Sequence, residues 1–263
     1  MDKRPIGIFD SGVGGLTVVD KFFRLLPNER IVYLGDTARV PYGNKSKETV
    51  TRFSKEIIAF LLRFKVKLIV VACNTVSSLC LPALQKSCPV PVLGVIKPGV
   101  LEAVRASRTR RIGVIGTQAT ILSGVYKNEI KAVSKKAFVA QKACPLFVPL
   151  VENMWLNGEI TLKIARQYLS PILAERIDSL VLGCTHYPLL KNVIRKIVGK
   201  NVTLVDSSEA VTKYAGLLLA NRKLLAGAGS ASARFFATDA QASFAELARV
   251  FLGKKIKAKK VIL

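Results

Sequence analysis

Short apolar runs rich in Val, Ile and Leu alternate with longer segments whose apolar residues recur every three to four positions, and the alternation persists along most of the chain. The short runs predict strands at 5–9, 31–35, 68–72 and near Pro91 to Gly94, then at 111–116, 137–142, 179–183 and 202–205. The amphipathic segments predict helices over 14–26, 46–64, 76–87, 118–130, 158–174, 187–198 and 207–222. Gly227 to Ser230 marks a loop; beyond it the pattern predicts a strand at Arg234 to Thr238, a helix over 240–252 and an edge strand at Val261 to Leu263. Runs that are apolar on both faces and separated by helices belong to parallel sheets covered on both sides. An α/β fold of the doubly wound class is therefore expected.

The pattern also repeats. Ile6 to Ser11 (Ile-Gly-Ile-Phe-Asp-Ser) is echoed by Ile112 to Thr117 (Ile-Gly-Val-Ile-Gly-Thr), and each copy is followed at similar distance by an apolar run ending in a cysteine. Cys73 lies 66 positions after Gly7, and Cys184 lies 71 after Gly113. In parallel sheets the carboxyl ends of strands are where sites are assembled. Two related halves, each presenting one thiol from an equivalent strand end, would enclose a cleft with a thiol on either wall. Such a cleft suits a substrate attacked from both faces.

Composition bounds the picture. A chain of 263 residues, 50% hydrophobic, can bury a substantial core as one large α/β domain or two smaller ones. No apolar run approaches the roughly 20 residues that span a bilayer, and Met1 to Pro5 leads into a strand instead of a signal-peptide core. A cytoplasmic, non-membrane protein is expected. The five cysteines, Cys73, Cys80, Cys88, Cys144 and Cys184, are odd in number and lack a tight Cys-x-x-Cys pair, which argues against a disulfide framework or a zinc knuckle. Metal binding is not expected with one histidine. For Cys80, Cys88 and Cys144 a small buried hydrophobe is the favoured reading.

With 41 basic against 17 acidic side chains the formal charge is +24, with clusters at Arg108 to Arg111 and Lys254 to Lys260. That surplus supports nonspecific, salt-dependent contact with nucleic acid but names no function, and a basic solvated surface is the favoured account because no nucleic-acid motif accompanies it. Gly12-Val13-Gly14-Gly15 follows a strand and opens a helix as a dinucleotide fold requires, yet Thr17 stands where the third glycine of the fingerprint belongs. A nicotinamide or flavin site is thus weakly supported. No lysine is marked as a pyridoxal anchor.

Five ordered segments, Ile6 to Thr17, Gly35 to Gly43, Ala72 to Thr75, Cys144 to Glu152 and Leu182 to Leu190, together resemble those of the glutamate racemases over nearly the whole chain. The resemblance implies two pseudo-symmetric domains with mainly parallel sheets and an interdomain active-site cleft. It divides the chain into a discontinuous first domain, residues 1–97 plus 208–263, and a second of 98–207. It further implies cofactor-independent interconversion of L- and D-glutamate for peptidoglycan synthesis, and a homo-oligomer with a dimer favoured. Some relatives are associated with gyrase inhibition.

Chemistry and resemblance converge on named residues. Inverting an α-carbon needs a base on one face and an acid on the other, and thiols serve because neighbours can tune one to thiolate and the other to thiol. The resemblance assigns these roles to Cys73 and Cys184, the second taking the proton from L-glutamate and the first from D-glutamate. Asp10 matches the carboxylate beside the first thiol, Glu152 and His186 the groups beside the second. Taken alone, Asp10 has a helix-entry acceptor as its alternative reading, and His186, the single histidine, would more often be structural. Asp10, Ser11, Tyr42, Gly43, Asn74, Thr75, Thr185 and His186 match substrate-binding positions, and Thr117 joins them through its repeat relation to Ser11. Lys97 departs from the family pattern, standing where relatives usually carry glutamate. Two rival readings are a racemase for aspartate or another acidic amino acid, and a basic nucleic-acid-binding protein that retains the fold.

Overall fold

A computed structural model describes residues 1–239 and 242–263. The strands are β1 (Ile6–Asp10), β2 (Arg30–Gly35), β3 (Leu68–Val71), β4 (Val92–Gly94), β5 (Arg111–Gly116), β6 (Phe138–Ala143), β7 (Ser179–Gly183), β8 (Thr203–Asp206), β9 (Ser232–Ala237) and β10 (Ala258–Lys260). They form two sheets in which every described pairing is parallel, ordered β10-β9-β2-β1-β3-β4 and β6-β5-β7-β8. The order β2-β1-β3-β4 of the first is repeated as β6-β5-β7-β8 in the second, so the echoed motifs occupy corresponding central strands. Cys73 follows β3 and Cys184 follows β7, which are also corresponding strands.

The helices are α1 (Leu16–Leu25), α2 (Lys47–Leu62), α3 (Asn74–Leu79), α4 (Leu81–Ser87), α5 (Ile96–Ala106), α6 (Gln118–Leu122), α7 (Val125–Val133), α8 (Phe147–Glu152), α9 (Glu159–Ala174), α10 (Lys191–Val198), α11 (Ser207–Asn221) and α12 (Ala242–Leu252). Successive strand residues point to opposite faces, and both faces are apolar. Phe9, Ile69 and Val71 pack with Val50, Ile57 and Leu61 of α2, whereas Ile6, Ile8 and Val70 share a core with Leu16, Val19 and Phe22 of α1. That second core continues through Val211 and Ala215 of α11 into Ile115, Leu180 and Leu182 of the other sheet. Val114 and Val181 close the remaining face against Val100 of α5 and Ile130 of α7. No helix among the described residues is long and apolar enough to cross a membrane.

Several predicted elements differ in detail. The helix expected over 76–87 is two, α3 and α4, which part at Cys80 just before Pro82, whose missing N–H cannot continue a helical ladder. The one expected over 118–130 breaks between α6 and α7 at Gly124, whose φ of +67° is left-handed backbone. The segment 187–198 opens as a 3-10 turn, Tyr187–Leu190, before α10. The carboxy-terminal edge strand is Ala258–Lys260 rather than 261–263. The first two positions of the helix expected over 240–252 lie outside the described residues. Helices α5 and α8 were not among the predicted elements; Pro98 and Pro149 each sit at the third helical position, in the first turn where a proline costs no intrahelical bond.

Candidate active site

Cys73 and Cys184 both reach one cavity of about 350 Å³ enclosed between the two sheets. Ser11, Tyr42, Gly43, Asn74, Thr75, Thr117, Glu152, Thr185 and His186 also line it. Of the residues singled out in the sequence only Asp10 is absent from the wall; it is fully buried at the end of β1. Val40, Pro41, Pro145, Val148 and Pro149 complete an apolar side of the cavity that residue chemistry had not picked out. They carry no reactive group, and only their places within the Gly35–Gly43 and Cys144–Glu152 segments hinted at them.

The two thiols have opposite surroundings. The Cys73 thiol points to Ser11 Oγ at 3.5 Å. Burial, reinforced by the nearby Asp10 carboxylate, pushes it up to about 12, so it holds its proton at neutral pH. Asp10 is itself raised by burial, against the opposing pull of His186 and the amide of Gly12, which donates to its Oδ2 at 3.1 Å. Its Oδ1 is buried with no hydrogen-bond partner.

Cys184 faces a cation instead. Its sulfur lies 3.9 Å from His186 Nδ1, and His186 Nε2 lies 3.1 Å from Glu152 Oε1. Burial pulls the imidazole down, but its hydrogen bonds to Cys184 and Glu152 outweigh this and lift it to about 10. The ring is therefore an imidazolium at neutral pH. The glycine loop after β1 supports this corner: Thr17 Oγ1 donates to Thr185 O at 3.2 Å, and a Cβ on Gly14 would stand 2.4 Å from Thr185 Oγ1 and 2.6 Å from the His186 ring. The resemblance of this loop to a dinucleotide fingerprint thus has a packing explanation.

Polar groups ring the rest of the cavity. Tyr126 Oη donates to Asn74 Oδ1 at 2.7 Å, and Asn74 Nδ2 is buried without a partner. Thr75 and Thr117, one from each half, approach to 3.1 Å, and the fully buried Thr120, not anticipated from sequence, lies 2.9 Å from Thr117. Tyr42 is fastened by its hydroxyl to Asp36, a buried carboxylate that also accepts from Arg39 at 2.7 Å and Thr238 at 2.8 Å. Among the described residues no three His, Cys, Asp or Glu side chains gather as a metal site would require.

Comparison with known proteins agrees over the full length. The Asp/Glu/Hydantoin racemase family model matches residues 6–215. A glutamate racemase of Geobacter metallireducens is 48% identical over 257 residues, covering 97% of this chain and 95% of its own. The crystal structure of glutamate racemase isoform RacE1 from Bacillus anthracis superimposes with a TM-score of 0.96 at 40% identity, covering 99% of this chain and 98% of that one. A glutamate racemase from Francisella tularensis, solved with D-glutamate, gives 0.93 at 38% identity, covering 100% and 98%. The chain belongs to the Asp/Glu/Hydantoin racemase family and, within it, to the glutamate racemases, isomerases of amino acids.

Proposed function

We propose that this isomerase interconverts L- and D-glutamate with Cys73 and Cys184 as its two acid/base groups, and that its D-glutamate supplies peptidoglycan synthesis. The observation that carries the reading is the pair of thiols at corresponding strand ends, sharing one cavity but set in opposite electrostatic surroundings. The relatives named as glutamate racemases and the Francisella complex with D-glutamate support the substrate.

In the L to D direction the Cys184 thiolate removes the α-proton. The Cα–H bond breaks, its electron pair stays on the α-carbon and α-carboxylate, and an S–H bond forms at Cys184. Cys73, protonated beforehand, then gives its proton to the opposite face and is left as thiolate. The reverse direction exchanges the roles. His186 supports the charge on Cys184 and Glu152 orients His186; Asp10, beside Cys73, favours the protonated thiol. Ser11, Tyr42, Gly43, Asn74, Thr75, Thr117 and Thr185 hold the amino acid through hydroxyls, amides and backbone N–H groups.

The test follows circular dichroism of L-glutamate and, separately, L-aspartate with the wild type, Cys73→Ser and Cys184→Ser. The reading expects decay of the glutamate signal alone, lost in both variants. Faster racemisation of aspartate would overturn the substrate, and an active single variant would overturn the mechanism.

A further inference from the structure

The imidazole of His186 is anchored at its two nitrogens, yet neither anchor fixes its plane. At Nδ1 the sulfur contact of 3.9 Å and the Thr185 Oγ1 contact of 3.5 Å are both long and loosely directional, Glu152 is partly exposed, and the terminal torsion of a histidine is intrinsically broad. Packing must supply the constraint. The ring of Phe251, on α12, meets the imidazole at a centroid distance of 5.6 Å and an interplanar angle of 87°, an edge-to-face arrangement favoured for aromatic pairs. Phe251 is buried, in the same apolar core as Cys184 and Tyr187. Backbone at Gly14 closes on the same imidazole so tightly that a methyl group there would overlap it.

Helix α12 lies beyond residues 6–215, the span shared with the family model. The chain leading into it is fastened to the cavity a second time: Thr37 Oγ1 donates to Asp239 O at 2.6 Å, and Thr238 Oγ1 donates to Asp36, the carboxylate that holds Tyr42. The carboxy-terminal segment therefore grips both the loop that carries Tyr42 and the ring that faces Cys184.

We infer that Phe251 is a positioning residue for racemisation, fixing the plane of the His186 ring so that Nδ1 stays directed at Cys184 and Nε2 at Glu152. This rests on the two-thiol reading of the site. Replacing Phe251 with leucine leaves an apolar side chain that fills much of the space but releases the ring. The groups that set the charge of His186, namely Cys184, Glu152 and Asp10, are untouched by that change.

Because His186 is the chain's one histidine, its carbon-bound ring protons report its titration without assignment. In Phe251→Leu, kcat should fall about tenfold with KM within about twofold, the scale expected when a reacting group is misplaced by a fraction of an ångström. The His186 midpoint should move down from about 10 toward the ordinary value. Phe251→Met, also without a ring, should behave alike and serves if the leucine variant does not fold. Leu252→Ala on the same helix should lower stability and move neither readout. Unchanged titration and kcat in both Phe251 variants, or the same changes in Leu252→Ala, would overturn the inference. Cys184→Ser separates the two levels: if it is inactive while Phe251→Leu is silent, only this inference fails, whereas an active Cys184→Ser removes the two-thiol reading beneath it.

Discussion

A racemase whose equilibrium constant is one has no thermodynamic preference between directions, so any asymmetry between its two acid/base groups must come from their surroundings. Here it comes from two unlike neighbours. Cys73 is buried beside a carboxylate and keeps its proton, whereas Cys184 faces an imidazolium. On the proposed mechanism this asymmetry suits L-glutamate, with a protonated thiol on one wall and a cation beside the second thiol on the other. Replacing either cysteine with serine should lower kcat/KM by about 10³-fold, within the range that a positioned general acid or base supplies; a loss below tenfold for either would contradict the assignment. The His186 titration is a second prediction at this scale. Its folded pKa, about 10, lies above the ordinary 6.5, so proton binding favours the folded state. That stabilisation is complete below about 6.5 and is lost as pH rises through about 10. Urea unfolding of wild type and His186→Asn at pH 6 and pH 10.5 checks it: the gap between the two proteins should shrink at the higher pH, and a gap that stays constant would mean that folding leaves the affinity of the ring for its proton unchanged.

Elements turn this chemistry into geometry. Corresponding strands β3 and β7 deliver the thiols, and the loop between β1 and α1 reaches across to the turn after β7. Gly14→Ala should therefore cost activity more than its single methyl suggests: the added Cβ overlaps Thr185 and His186, and a fall in kcat of about 10²-fold is expected, against a near-silent Gly99→Ala in α5, where an added Cβ would meet nothing nearer than 3.5 Å. Comparable activity in the two variants would contradict the close packing. Much of this level was readable from local patterning. β-branched runs such as Leu68 to Val71 and Leu180 to Leu182 are unambiguous strands, and the echo of Ile6 to Ser11 in Ile112 to Thr117 identified corresponding positions. What escaped was of two kinds. Pro98 and Pro149 hid α5 and α8, because a proline in the first turn looks the same in sequence as one that ends a helix. The apolar cavity wall and the Phe251 contact join residues far apart in the chain, and no local period encodes them. The repeat relation brings Thr117 to the cavity wall but does not extend to the thiol contacts, since Ser11 contacts Cys73 whereas Thr117 contacts Thr75.

Across the whole molecule, the end of the first sheet opposite the thiols is held by a buried ion pair that no motif or pattern in the sequence marks. Lys67 Nζ lies 2.6 Å from Glu29 and donates to the carbonyls of Asp2 and Leu224, while Glu29 accepts from the amide of Ala226. The amino terminus, the start of β3 and the chain after α11 meet there. Lys67→Met should destabilise by about 3–5 kcal/mol because it strands a buried carboxylate, and Lys67→Met with Glu29→Leu should recover part of the loss. Urea midpoints measure both; a loss under about 1 kcal/mol would show the pair to be dispensable. Specific activity of the folded fraction should not change, since the pair lies at the far end of the strand from Cys73. The central claim concerns the cavity between the sheets, where two thiols act on opposite faces of one carbon. It is tested most directly by mass spectrometry of both enantiomers during the first few per cent of conversion of L-glutamate in deuterated water. The account predicts that the D-glutamate formed carries one solvent deuterium at the α-carbon while the recovered L-glutamate carries none. Product that retains the original proton, or deuterium appearing equally in recovered substrate, would contradict it.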